Sequence, residues 1–197
     1  MDPRLRTPPM DGVERKVKYM SDYVLDEVHV QGRKKPKRVP RYIGPYFEFE
    51  YPNEVVARWK KIYLYCTMAM IALLLIPMSF NSNVVEAWYV TIGQIVVVGA
   101  LYFAVKMTWI LNRLGFRLKR READRIDSQI PLSMTFLAIG FGISAVGGVV
   151  WMVINSTVTF PDVAATAVSA VACADAIFLL VSNGKLDTYQ VDGEPEL

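Results

Sequence analysis

Two ionisable side chains stand where ionisable side chains are rare. Lys106 is the one charged residue of the stretch 87–112, and Asp175 the one charged residue of 163–184. Charged groups in such apolar surroundings face protein or water and commonly pair with one another. Lys106 lies six residues before Asn112, and Asp175 eight before Asn183. If the two asparagines mark an interface, the charges sit about 9 and 12 Å inside it at about 1.5 Å per residue. The difference, about 3 Å, is within a lysine's reach. An ion pair between the second and fourth apolar segments is therefore one expectation, as a structural clasp or as a proton- or ion-responsive element. The alternative leaves each alone, with Lys106 extending to the headgroups and Asp175 neutral.

Other chemistry is sparse. His29 is the single histidine, which excludes a multi-histidine metal site or bis-histidine haem within one chain. Cys66 and Cys173 fall inside apolar segments and read as small packing residues. No GxxxxGK[ST], GxSxG or HExxH pattern occurs, and Gly140-Phe141-Gly142 and Gly147-Gly148 lie in an apolar stretch, not in a nucleotide loop. No catalytic residue, metal ligand or cofactor is assigned. Asn155-Ser156-Thr157 fits a glycosylation acceptor, but in a turn that hugs the apolar segments.

One basic run is specific. Arg33, Lys34, Lys35, Lys37, Arg38 and Arg41 fall within nine positions. Near a bilayer such a run attracts anionic headgroups at about 1 kcal/mol per residue. An acidic partner is the second candidate, and nucleic acid is not expected without a recognition fold around the run.

The elements that would carry these residues follow from charge distribution. Of 22 Lys and Arg residues, 14 lie at or before Lys61 and six between Arg113 and Arg125. Between them run segments with no charge at 62–80 and 128–161, and with one charge each at 87–112 and 163–184. About 20 apolar residues in a helix cross a hydrocarbon core of about 30 Å. The expected fold is all-α: a polytopic membrane protein with a four-helix transmembrane bundle, spans at about 60–80, 85–112, 131–154 and 161–183. Lys and Arg flank the first span and fill the loop after the second, while the turns at 81–84 and 155–160 have none. Both termini are then cytoplasmic. Trp59, Tyr63 and Trp109 would mark the inner interface, and Trp88, Tyr89 and Trp151 the outer one.

Three parts follow: a basic arm at 1–58, the transmembrane domain at 59–183, and a short acidic, flexible tail at 184–197. In the arm, the spacing of Val13, Val17, Met20, Val24 and Val28 predicts a short amphipathic helix, and the alternation from Phe47 to Tyr51 a strand. Small residues at Gly140, Ser144 and Gly148, with Ser133 and Gly147 beside them, predict close packing against Ala165, Ser169, Ala172 and Ala176 of the fourth helix.

The leading functional expectation is a non-enzymatic subunit or accessory component of a larger membrane complex, multi-pass in the plasma (inner) membrane. Its partners would be lipids and other membrane subunits or further copies of itself. The second is a small oligomeric transporter or channel using Lys106 and Asp175, with Gln94. The third is an enzyme acting on lipid-like substrates, for which Glu86 and Asp162 are the acidic candidates.

Overall fold

A computed structural model describes residues 19–28, 37–79, 82–156 and 158–191. Four long helices dominate: α1 (Asn53–Ser79), α2 (Trp88–Arg113), α3 (Arg120–Asn155) and α4 (Phe160–Val181). Each is long and apolar enough to cross a membrane. Their outward faces carry large apolar side chains, among them Val153, Phe160 and Val181, each at least three-quarters exposed. Water would penalise so broad an apolar exterior, whereas lipid would not.

The helix boundaries depart from the sequence expectation chiefly in α3. It begins at Arg120, not near 131, so the basic connection after α2 is largely helical. The reason is amphipathicity: Ala123, Ile126 and Ile130 are buried along one side of the charged turns. Pro131 sits within the helix instead of starting it. At the far end Ser156 takes a left-handed conformation, φ 54°, which stops α3.

The helices form a closed ring in sequence order, α1 beside α2, α2 beside α3, α3 beside α4 and α4 beside α1. The diagonal pairs barely touch. Packing is closest between α2 and α3, where two glycines meet. A Cβ on Gly140 would lie 2.7 Å from Val97 Cγ2 and 3.0 Å from the Gly93 carbonyl oxygen. One on Gly93 would lie 2.7 Å from Ser144 Oγ and 2.8 Å from the Gly140 carbonyl oxygen. The small-residue stripe of α3 therefore does not face α4 as a unit. Gly140, Ser144 and Gly147 turn to α2, while Gly148 packs on Thr166 of α4 and Gly142 faces Cys173. The stripe divides because α3 sits between two neighbours, and one-residue shifts around a helix change which neighbour is met. On α4, Ala165, Ala172 and Ala176 are buried and Ser169 partly so.

Two small sheets lie at the basic end of the bundle. β1 (Tyr23–Val28) and β2 (Lys37–Tyr42) form an antiparallel pair. Val24 and Val28 thus belong to a strand and not to the expected amphipathic helix; Val13 and Val17 lie outside the described residues. The pair is anchored by Tyr42, whose hydroxyl donates to the Pro45 carbonyl at 2.7 Å and accepts the Arg120 N–H at 3.0 Å. Burial is the main cause that pushes the Tyr42 phenol above its ordinary pKa.

The second sheet joins three distant parts of the chain. β3 (Tyr46–Phe49) is central, with β4 (Arg117–Lys119) and β5 (Thr188–Val191) antiparallel on either side. Tyr46 pairs with Lys119 and Val191, and Phe47 with Leu118 and Gln190. The alternation from Phe47 is a strand as expected, but the tail is not simply flexible: Thr188–Val191 completes the sheet. Phe49, Leu118 and Leu186 seal the bundle core from this side.

Gly140→Leu should destabilise the protein by about 1–3 kcal/mol through overpacking. Gly99→Leu should be neutral, because a Cβ at Gly99 meets nothing within 4 Å. Thermal unfolding in mild detergent tests this, and equal losses at the two sites would refute the assigned contact.

Candidate functional site

The interior polar groups are carried mainly by α1. Its buried residues Val56, Lys60, Tyr63, Thr67 and Met70 recur at four- and three-residue intervals, which is one helix face. Lys60, Tyr63 and Thr67 make that face polar towards the basic end.

Lys60 is 7% exposed and has no carboxylate partner among the described residues. Its Nζ donates to the Leu114 carbonyl at 2.8 Å and to that of Gly115 at 3.3 Å. These carbonyls follow the last turn of α2, where the helix dipole is negative and backbone acceptors lack intrahelical donors. The rings of Phe49 and Phe116 stand 5.0 and 5.1 Å from the ammonium. Asn112 completes the junction by donating to the Lys60 carbonyl at 3.3 Å. Lys60 is thus a helix cap contributed by a neighbouring helix.

Tyr63, expected to mark the inner interface, is fully buried within the bundle. Its hydroxyl donates to the Leu179 carbonyl of α4 at 2.7 Å and lies 3.3 Å from Asn183 Oδ1. One turn on, the Thr67 hydroxyl donates to the Tyr63 carbonyl at 2.7 Å and stands 3.1 Å from Thr108 Oγ1 of α2. With its own proton committed, Thr67 accepts and Thr108 donates.

The opposite end has one buried charge. Asp162, in the first turn of α4, is 0% exposed. Its Oδ1 accepts the Ser82 hydroxyl at 2.9 Å and the Val84 N–H at 3.3 Å. Its Oδ2 accepts the Thr159 hydroxyl at 2.6 Å and the Thr159 N–H at 3.2 Å. The carboxylate therefore caps α4 and ties down the α1–α2 turn at once, at the helix end whose dipole favours a negative charge. Glu86, the other acidic candidate near this end, is exposed.

Between the two ends lies a cavity of about 10 Å³, lined by Gln94, Ser144, Thr166 and Ser169 with apolar neighbours. The three hydroxyls each donate to the carbonyl four residues earlier, at 3.1, 2.9 and 3.0 Å. The space suits one water molecule at most. An open groove of about 480 Å³ on the α2–α3 face is lined by Tyr89, Gly142, Ile143, Val146, Gly147 and Val150, and is almost wholly apolar.

The two charges expected to pair, Lys106 and Asp175, form no ion pair with each other. Lys106 is exposed on α2, and Asp175 is partly buried on α4 beside Cys66 of α1. The physical reason is the ring: α2 and α4 are diagonal, so no shared interface exists for the pair. Cys66 and Cys173 are free thiols, and Cys173 Sγ donates to the Ala138 carbonyl at 3.3 Å. Of the basic run, Lys37, Arg38 and Arg41 lie on β2, whereas Arg33, Lys34 and Lys35 are outside the described residues. Among the described residues no three His, Cys, Asp or Glu side chains converge as a metal site requires.

No protein-family model matches the chain, and neither a curated protein nor a solved structure is significantly similar to it.

Lys60→Met should cost about 1–3 kcal/mol, because the Leu114 and Gly115 carbonyls lose their donor. A double-mutant cycle of Thr67→Val and Thr108→Val should give a coupling near 0.6 kcal/mol. Unfolding in mixed detergent micelles measures both. Strict additivity of the two threonine changes would mean that the hydroxyls do not interact.

Proposed function

We propose that this chain is a non-enzymatic integral membrane protein, a subunit or scaffold component of a larger membrane complex. Both termini and the basic α2–α3 connection face the cytoplasm. The observation that carries this reading is the use made of the interior polar groups. Lys60, Tyr63, Thr67, Thr108 and Asp162 join helices and turns to one another and do not converge on a cleft. A bundle held in this way suits a fixed body that presents its surfaces to partners.

The sheet at the basic end supports the same reading. It gathers the N-terminal arm, the α2–α3 connection and the C-terminal segment into one platform. Arg41, Arg117 and Arg121 are exposed on this side, where anionic headgroups or an acidic partner would meet them. The Lys and Arg asymmetry orients this platform inward, and the plasma (inner) membrane is the expected location.

A second reading, an oligomeric transporter or channel, draws on one observation. Lys106 and Asp175 leave the bundle on its outer flanks, so any path they line would run between chains.

Orientation is tested by single cysteines in a background lacking Cys66 and Cys173. Asn83→Cys and Val158→Cys, both at exposed positions of the turn end, should react with an impermeant thiol reagent in intact cells. Arg121→Cys should react only after permeabilisation, and the reverse pattern would invert the topology. Purification in mild detergent then reads assembly: a stoichiometric partner supports the subunit reading, and turnover of a lipid-like substrate by the pure chain would overturn it.

A further inference from the structure

Among the described residues neither Lys106 nor Asp175 has a charged partner, yet they stand within one helical turn of the same level. α1 provides the ruler. Thr67 of α1 meets Thr108 of α2, so Lys106, two residues before Thr108 on an antiparallel helix, is level with the turn of α1 just beyond Thr67. Asp175 meets Cys66 of the same helix. The two charges therefore differ in height by about 4.5 Å, or about three residues of helical rise, which is less than one turn. They also leave the bundle at different flanks. Lys106 shares the outward stripe of α2 with Ile95, Tyr102 and Trp109, all exposed. Asp175 opens at the α1–α4 crevice, on the helix diagonal to α2. Opposite charges within one turn of the same depth, on opposite flanks, complement each other between copies and not within one.

We propose that Lys106 of one copy pairs with Asp175 of the next, joining copies head to tail through the outer face of α2 and the α1–α4 crevice. The proposal rests on the membrane reading above and names a partner for it: a second copy of this chain. A charge exposed to hydrocarbon is costly, and pairing with a counter-charge within one turn of the same depth relieves both groups at once. The long lysine side chain covers the remaining height difference. Because the two surfaces are different, the contact is heterologous, and a two-fold dimer cannot satisfy it. Copies that share one orientation in a bilayer are related by rotation about its normal, and such contacts close into a ring where that rotation divides a full turn.

The test exploits charge reversal in the full-length protein. Lys106→Asp places two acidic groups at each contact, and Asp175→Lys places two basic ones. Each variant expressed alone should run as a monomer in mild detergent, where the native chain runs as an oligomer. Co-expressed with distinct tags, the two variants should copurify at least tenfold better than either does with its own kind, because alternating copies restore every pair. Where reversal prevents insertion, Lys106→Gln and Asp175→Asn serve instead, and each should abolish the oligomer while the monomer stays folded. Disulfide trapping gives a second readout. With Cys66 and Cys173 replaced by Ala, chains carrying both Tyr102→Cys and Val171→Cys, exposed positions one turn before Lys106 and Asp175 that leave both charges in place, should oxidise to a ladder of covalent multimers, and either cysteine alone should not.

A monomeric native chain would overturn the proposal, as would reversal variants that keep their oligomer or a lysine that extends to the headgroups and can be neutralised without effect. A different polypeptide trapped at either cysteine would overturn it too. Resistance to alkaline carbonate extraction separates the two levels of failure. A carbonate-resistant chain that does not assemble refutes this contact alone, and a carbonate-extracted chain refutes the membrane reading with it.

Discussion

Helices that turn apolar side chains outward lose the force that assembles most proteins. In hydrocarbon there is no gain from hiding a leucine, so cohesion comes from close backbone approach and from polar groups that find partners inside. Both are visible here. Gly93 and Gly140 let α2 and α3 approach until backbone carbonyls line the contact. Thr67 with Thr108, and Tyr63 with the Leu179 carbonyl, link α1 to its two neighbours. The ring order of the helices follows from these contacts.

The ends of the bundle are fastened by opposite charges used in the same way. Asp162 accepts four hydrogen bonds at the N-terminus of α4, and Lys60 donates to the carbonyls that follow α2. Each charge sits where a helix dipole favours it, and each reaches across to a second segment. Neither needs a counter-ion, because oriented backbone groups supply the compensation. The β3–β4–β5 sheet adds a third fastening at the basic end by pairing segments more than a hundred residues apart, Tyr46 with Val191 among them.

This economy separates the buried ionisable groups from Lys106 and Asp175. Lys60 and Asp162 are satisfied within the chain, and their removal would loosen it. Lys106 and Asp175 are set on flanks where no described residue offers a counter-charge.

The sequence by itself determined the four apolar helices, their approximate limits and the two ends of different charge, because lipid-scale length and the absence of charge are local properties of a segment. The strand at Tyr46–Phe49 was legible for the same reason, through its alternation. What the sequence could not decide was which faces meet. The stripe of Gly140, Ser144 and Gly148 advertised close packing but not its division between α2 and α4, since small residues mark proximity without naming the neighbour. Gly93 was a single glycine in an apolar run, with no repeat to signal it. Lys60 and Tyr63 resembled ordinary interface residues until the tertiary structure brought the end of α2 and the Leu179 carbonyl to them. Equal depth suggested that Lys106 and Asp175 pair, and the diagonal placement of their helices separated them. Height along a bundle axis is written in the count of residues, but position around the axis is decided only when the helices pack.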